Sequence, residues 1–246
     1  MTEPLIWIAP LIFLIAGTIK GAIGIGLPTT VIAGLSLFVD PRIAVALGLA
    51  PMIASNVWQV RREGGWRAPM RRFWPLALTT AVFLFAASQF AAGAEGGTIL
   101  AFTGLAVAIF AAASLIGTPP VLPPSWERPG QVVAGGLAGI MGGLTGIWSP
   151  PMLILLLSLR LDKSDFIRSI GLLLLLGAAP LLLGYVLAGL MTAGLFAGSL
   201  ALCLPTFAGF ALGERLRRAL DPAKFQKAVL IFFLVMGMNM IRQAVW

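Results

Sequence analysis

Apolar residues run along the chain in long blocks that short polar loops separate. Six blocks have the length of one bilayer crossing, about 20 residues, and they cover positions 43–60, 73–92, 98–116, 169–190, 193–212 and 225–244. Two longer stretches, 5–39 and 132–159, are interrupted near the middle by glycine and proline. Apolar runs of this length predict helices that span a membrane. The pattern therefore predicts an all-α integral membrane protein.

The two halves of the chain, 1–122 and 123–246, resemble each other. A shift of 122 positions (17 to 139) pairs identical residues along the broken stretches: Gly17 with Gly139, Gly21 with Gly143, Gly24 with Gly146, Ile25 with Ile147, Pro28 with Pro150, and Asp40 with Asp162. Internal repeats of this kind are common in membrane transporters. We expect each half to contain one broken stretch followed by three spans.

Loop charges predict how the repeats are arranged. The loops 61–72 and 214–218 are rich in arginine, and such loops lie in the cytoplasm. If both loops are inside, two spans lead from each loop to one end of the stretch 132–159, so both ends of that stretch are inside as well. A single helix over it would be roughly 40 Å long, more than the thickness of the bilayer core. A re-entrant hairpin fits better, and this makes the repeats inverted. Eight full crossings with parallel repeats are the alternative.

Composition narrows the classes of function. The chain is 59% hydrophobic and 11% charged, with a net charge of +8. Its cations lie in loops and not along a continuous face, which indicates membrane orientation and argues against nucleic-acid binding. Histidine is absent from the sequence, which excludes a Ser-His-Asp triad and histidine-ligated metals. We expect no enzymatic activity, no metal and no cofactor, although an intramembrane enzyme acting on lipid or peptide, or a membrane scaffold subunit, stays open.

The broken stretches carry the candidate chemistry. Their glycines permit unwound backbone, and Pro28 and Pro150 can each start a new helix whose free N–H groups attract anions. We predict one substrate site between the two breaks, with backbone N–H groups after each proline as its main donors. Lys20 either adds a positive charge there or extends to the surface. The predicted substrate-binding residues are Lys20, Gly21, Gly24, Gly26, Pro28, Thr29, Thr30, Asn56, Gly143, Thr145, Gly146, Ser149 and Pro150.

Small residues also allow close helix packing, and this explanation is favoured for Gly17 and Gly139. At the cores of the two breaks, glycine coincides with proline and with hydroxyl side chains. A role in binding is therefore favoured there.

These motifs resemble those of the TauE/SafE-type sulfite exporter family. The similar residues are Lys20-Gly21, Gly24-x-Gly26-Leu27-Pro28, Asp40-Pro41-Arg42, Ser55-Asn56-x-Trp58-Gln59, Gly142-Gly143, Gly146-Ile147, Pro150-Pro151 and Lys163-x-x-Phe166-x-Arg168. The resemblance implies a multi-pass secondary transporter of the inner (plasma) membrane. It implies alternating access for sulfite, organosulfonates or related small anions, with the substrate and the lipid bilayer as partners. A homo-oligomer stays open. The sequence carries no phosphate-binding loop, so we expect an ion or substrate gradient to drive transport.

Overall fold

A computed structural model describes residues 3–117, 119–219 and 222–245. Within these residues the chain forms helices and no strand, which confirms the predicted all-α class. The α-helices, in chain order, are α1 (Glu3–Ile23), α2 (Leu27–Leu35), α3 (Pro41–Arg62), α4 (Arg67–Gly93), α5 (Gly96–Ile116), α6 (Glu127–Thr145), α7 (Ser149–Ser158), α8 (Lys163–Leu187), α9 (Ala193–Ala201), α10 (Cys203–Ala219) and α11 (Pro222–Val245).

Six helical segments within the described ranges are long and apolar enough to cross a membrane. They are Pro41–Arg62, Arg67–Gly93, Gly96–Ile116, Ser164–Leu187, Ala193–Leu216 and Lys227–Val245. Each one overlaps a span predicted from hydropathy, so the six spans are confirmed by length and composition. The inverted orientation of the two halves stays a prediction.

One predicted span, 193–212, is interrupted within its length. Helix α9 ends at Ala201 and α10 begins at Cys203. Pro205 is the third residue of α10 and has no N–H, so the carbonyl of Ala201 loses the donor that a continuous helix would supply. Backbone bonding resumes where the Thr206 N–H donates to the Leu202 carbonyl at 3.2 Å. A proline early in the second helix therefore explains the interruption.

The two broken stretches are interrupted as predicted, at 24–26 between α1 and α2 and at 146–148 between α6 and α7. Both breaks lie near the middle of the predicted stretches 5–39 and 132–159, but the helices on the two sides of each break differ in length. Helices α1 and α6 have 21 and 19 residues, whereas α2 and α7 have 9 and 10. At 1.5 Å per residue the first helix of each pair is about 30 Å long and the second about 15 Å. Each break thus joins a helix of full bilayer length to one of about half that length.

The chain divides into two compact units. Unit 1 comprises Met1–Pro51, Glu95–Ile116 and Met191–Trp246, and unit 2 comprises Met52–Ala94 and Gly117–Leu190. Each unit contains helices from both halves of the sequence. The first break belongs to unit 1 and the second to unit 2. That the halves 1–122 and 123–246 are structural repeats stays a prediction, and their ends at 1–2 and 246 lie outside the described residues.

In unit 1, α1 packs on α10 backbone against backbone. A Cβ added at Gly17 or Gly21 would overlap the carbonyl oxygen of Thr206 or Phe210. The same holds in the other direction, where Gly209 and Gly213 of α10 lie against the carbonyls of Leu14 and Thr18 of α1. Glycines four residues apart on both helices permit this approach. The packing explanation favoured for Gly17 is confirmed.

A serine in unit 1 supports a proline in α3. Pro51 lies inside α3 and has no N–H, so the Leu47 carbonyl lacks its usual helical donor. The Ser199 hydroxyl of α9 donates to that carbonyl at 2.8 Å and accepts the Ala50 N–H at 3.0 Å. One side chain thereby satisfies two backbone groups where the helix is weakened.

In unit 2, α6 packs on α4 in the same manner through glycines spaced four residues apart. A Cβ at Gly139 would lie 2.8 Å from the Thr80 carbonyl oxygen, and one at Gly143 would lie 2.5 Å from the Leu84 carbonyl oxygen. The packing explanation for Gly139 is therefore confirmed as well. At the start of both helices, Arg72 donates twice to the Glu127 carboxylate, at 2.6 and 3.0 Å.

Candidate functional site

The first break is built on two glycines in the left-handed region. Gly24 has φ +84° and Gly26 has φ +98°, a region that L residues adopt only at a cost. The Gly24 N–H closes α1 by donating to the Lys20 carbonyl at 2.7 Å, and Gly26 begins α2. Pro28 is the second residue of α2, where its missing N–H costs no helical bond. Glycine and proline thus fix the end of α1 and the start of α2.

Hydrogen-bond donors remain at the start of α2. Thr30 makes the first backbone bond of the helix, to the Gly26 carbonyl at 2.9 Å, and its hydroxyl donates to the same carbonyl at 2.7 Å. Leu27 and Thr29 come before it, so their N–H groups have no acceptor within the helix. The Thr29 side chain is 1% exposed and its hydroxyl has no hydrogen-bond partner. Thr29, and not Thr30, therefore keeps a donor available.

A basic residue lies close to this break in the chain. Lys20 is one helical turn before Gly24 and is 1% exposed, so of the two alternatives its burial, and not extension to the surface, is observed. The first turn of α2 contains no acidic residue. A helix N-terminus carries a partial positive charge. The start of α2 itself therefore favours an anion.

The second break has a different set of donors. Gly146 closes α6 in the left-handed region, with φ +72° and its N–H 2.8 Å from the Gly142 carbonyl. The Thr145 hydroxyl donates to the Met141 carbonyl at 2.7 Å and accepts the Ile147 N–H at 3.2 Å. Thr145 therefore holds the turn together, and its hydroxyl hydrogen is already engaged.

Helix α7 begins with fewer backbone donors than α2. Its first residue is Ser149, which is 4% exposed, and its second and third are Pro150 and Pro151. Neither proline has an N–H. The residue after Pro150 therefore cannot supply the backbone donor that the sequence analysis expected, whereas the residue after Pro28 can. The two breaks are alike in backbone path and unlike in donors.

Three further predicted residues can be placed. Asn56 lies on the part of α3 that belongs to unit 2 and is 1% exposed. Gly21 and Gly143 lie one turn before the breaks, in the α1–α10 and α4–α6 contacts. Close packing accounts for both glycines without a ligand.

Sequence reasoning missed Trp148, the residue before α7. Its side chain is 1% exposed, and its indole Nε1 has no hydrogen-bond partner. The sequence did contain an indication that Trp148 could supply a donor, since this residue stands directly before Ser149 and two prolines that remove backbone donors. Within the stretches 20–30 and 142–151, the unpartnered buried side-chain atoms in the described structure are the Thr29 hydroxyl and the Trp148 Nε1.

A separate cavity of about 90 Å³ lies in unit 2 between the beginnings of α4 and α8. Arg72 and Arg168 line it, but Arg72 is paired with Glu127, and Arg168 with Asp165. Because a carboxylate already neutralises each guanidinium, we do not assign this cavity to the substrate.

Within the part of the chain that the structure describes, six helical segments of spanning length and two glycine breaks between helices indicate a polytopic membrane protein. The family model Sulfite exporter TauE/SafE matches residues 9–240, nearly the whole chain. The chain therefore belongs to the sulfite exporter TauE/SafE family, a family of membrane transporters and not of enzymes. No curated protein and no solved structure matches it.

Proposed function

We propose that this protein is a secondary transporter that moves small sulfur-containing anions, such as sulfite or organosulfonates, across the cell's inner membrane by alternating access. The observation that carries the proposal is the start of α2. There a buried hydroxyl without a partner, on Thr29, accompanies two N–H groups that precede the first helical bond. These are donors arranged for an acceptor that the protein itself does not provide.

The physical argument rests on the cost of unpaired donors. A buried hydroxyl without a partner costs about 1–3 kcal/mol. An oxyanion at the helix N-terminus would accept its hydrogen and would also meet the positive end of the helix dipole. Lys20, buried in the same unit, would favour a negatively charged substrate in an apolar interior.

The family supports the choice of sulfur oxyanions. The family is that of sulfite exporters, and sulfite and sulfonate groups present several acceptor oxygens. Backbone N–H groups and hydroxyls recognise such oxygens without contributing a titrating group. An ion or substrate gradient would supply the energy. That the breaks of the two units share one site stays a prediction from the repeat.

The proposal is tested with purified protein in liposomes that contain no other protein. We expect uptake or release of sulfite along an imposed gradient, with a panel of organosulfonates and carboxylates to rank the substrates. A membrane scaffold subunit would give no flux in this assay. Wild-type protein that moves none of the sulfur anions would contradict the proposed transport.

Thr29→Val tests the donor itself. Because the hydroxyl has no partner in the protein, its removal should raise the thermal stability of the substrate-free protein or leave it unchanged. Sulfite affinity should fall about tenfold or more, the scale of one hydrogen bond to a charged acceptor, and some binding should persist because the backbone donors remain. The matched control is Thr103→Val in the same unit, whose buried hydroxyl donates to the Ile99 carbonyl of its own helix. Affinity that falls equally in both variants, or in neither, would remove Thr29 from the site.

A further inference from the structure

Trp148 is a large buried side chain with an unused donor. Two glycines make room for its ring. A Cβ added at Gly142 of α6 would lie 2.6 Å from the Trp148 Cβ, and one added at Gly177 of α8 would lie 2.6 Å from its Nε1. A buried tryptophan N–H usually finds a hydrogen-bond partner. Here α6 and α8 of unit 2 lie against Trp148, and its indole N–H is left without a hydrogen-bond partner.

The position of Trp148 explains why a side-chain donor is useful there. Pro150 and Pro151 occupy the second and third positions of α7, so the first turn has lost two backbone donors. The first turn of α7 contains no acidic residue, so its electrostatic potential stays positive. Trp148 directly precedes this turn in the chain, so its indole N–H is a donor that the two prolines do not remove.

We propose that the Trp148 indole N–H is a substrate ligand at the second break and donates to an oxygen of the transported oxyanion. This inference rests on the proposed function and adds to it a residue and a basis for selectivity. Indole only donates, and it cannot accept a hydrogen bond from a substrate O–H or N–H. Trp148 therefore favours groups that only accept, such as sulfonate and fully ionised sulfite, over groups that carry a proton.

A water molecule is the competing partner for the indole. Pro180 lies inside α8 and has no N–H, so the Leu176 carbonyl, next to Gly177, lacks its helical donor. A water between Nε1 and that carbonyl would satisfy both groups. Loss of the indole N–H would then leave substrate affinity unchanged, and this difference separates the two explanations.

The test compares Trp148→Phe with Trp126→Phe in the full-length protein. Phenylalanine keeps an aromatic ring but removes the N–H, and Trp126 is 63% exposed in the same unit. Calorimetric titrations use sodium sulfite and sodium methanesulfonate, and thermal melts report folding. We expect Trp148→Phe to weaken binding of both anions about tenfold or more, the scale of one hydrogen bond to a charged acceptor. Trp126→Phe should bind like the wild type.

The outcomes separate the two proposals. Wild-type affinity in folded Trp148→Phe overturns the role of the indole and leaves the proposed function standing. Wild-type protein that binds neither anion refutes the proposed function, and the inference with it.

If Trp148→Phe does not fold, wild-type protein labelled with 5-fluorotryptophan replaces it. The chain has seven tryptophans, so the Trp148 fluorine resonance is assigned by replacing each of the other six. It must shift when sulfite saturates the protein, and an unchanged resonance overturns the inference.

Discussion

Substitution of Gly24 tests whether the shape of the first break matters for binding. Gly24 has φ +84°, and its N–H donates to the Lys20 carbonyl at 2.7 Å. No atom lies within 4 Å of a Cβ added there, so the first carbon of a new side chain would meet no neighbour. The cost of a substitution is therefore backbone strain, about 1–2 kcal/mol for an L residue in this region.

The magnitude depends on the residue introduced at position 24. Asparagine tolerates the left-handed region, so Gly24→Asn should retain nearly wild-type behaviour. Gly24→Ala should cost about 1 kcal/mol, and the β-branched Gly24→Val about 2 kcal/mol. If substrate binds only while the turn keeps its shape, the apparent Kd rises by the same free energy. At 1.4 kcal/mol per decade this is about fivefold for alanine and about thirtyfold for valine.

The assay measures sulfite affinity by calorimetry, sulfite flux in liposomes, and thermal stability on the same purified samples. Gly146→Val is the parallel change at the second break, where φ is +72°. Gly194→Val is the control, since Gly194 lies within α9 and also has no atom within 4 Å of an added Cβ. The control should keep wild-type affinity and flux, because valine fits a helical position better than it fits a left-handed one.

Two results would refute this reasoning. If valine at Gly24 and at Gly146 both leave affinity and flux unchanged in folded protein, the breaks do not form the substrate site. If Gly24→Asn and Gly24→Val lose affinity equally, the size of the side chain matters and the left-handed backbone does not.

Three further predictions concern the rest of the chain. Ser199→Ala leaves the Leu47 carbonyl of α3 without a donor and should cost about 1–3 kcal/mol, seen as a lower melting temperature; an unchanged melt would show that water replaces the hydroxyl. The hydrogen bond from Arg42 holds the pKa of Asp40 below its usual value of 3.8. The ionised Asp40 carboxylate therefore stabilises the folded protein above pH 3.8, and this stabilisation is lost as the pH falls through the lowered pKa. Melts from pH 6 to pH 3 should therefore show a decline in the wild type that Asp40→Asn lacks, and parallel curves would contradict it. In a Cys203→Ser background, single cysteines at Glu63 and Arg215 should react with an impermeant thiol reagent from the same side of the membrane; labelling from opposite sides would contradict the inverted repeats.

Hydropathy and local chemistry made the helices and their breaks predictable. Apolar runs about 20 residues long have few alternatives to a spanning helix, so six spans followed from the sequence. Gly24, Gly26 and Pro28 mark the first break because each changes the backbone locally. The interruption after α9 was equally local, and Pro205 was its signal.

Contacts between distant residues could not be predicted in this way. Nothing near Gly21 in the sequence indicates that the Phe210 carbonyl will lie against it, since that contact depends on how two helices pack. For the same reason Gly21 was interpreted as a binding residue. The unused donors at Thr29 and Trp148 also required the structure, because a hydroxyl or indole gives no sign in the sequence of whether the fold will provide its partner.

The glycine contact between α1 and α10 also fixes how the two helices can slide. Each carbonyl that touches a glycine lies where a Cβ would overlap it, so the contact exists only while glycine and carbonyl stay opposite each other. A shift of four residues, about 6 Å, would leave only one of the two carbonyls of each helix opposite a glycine. A contact between leucine side chains could adapt through changes of rotamer, whereas a glycine has no side chain that could do so. We therefore expect small displacements during transport to be absorbed by the unwound turns and not by slippage along this contact.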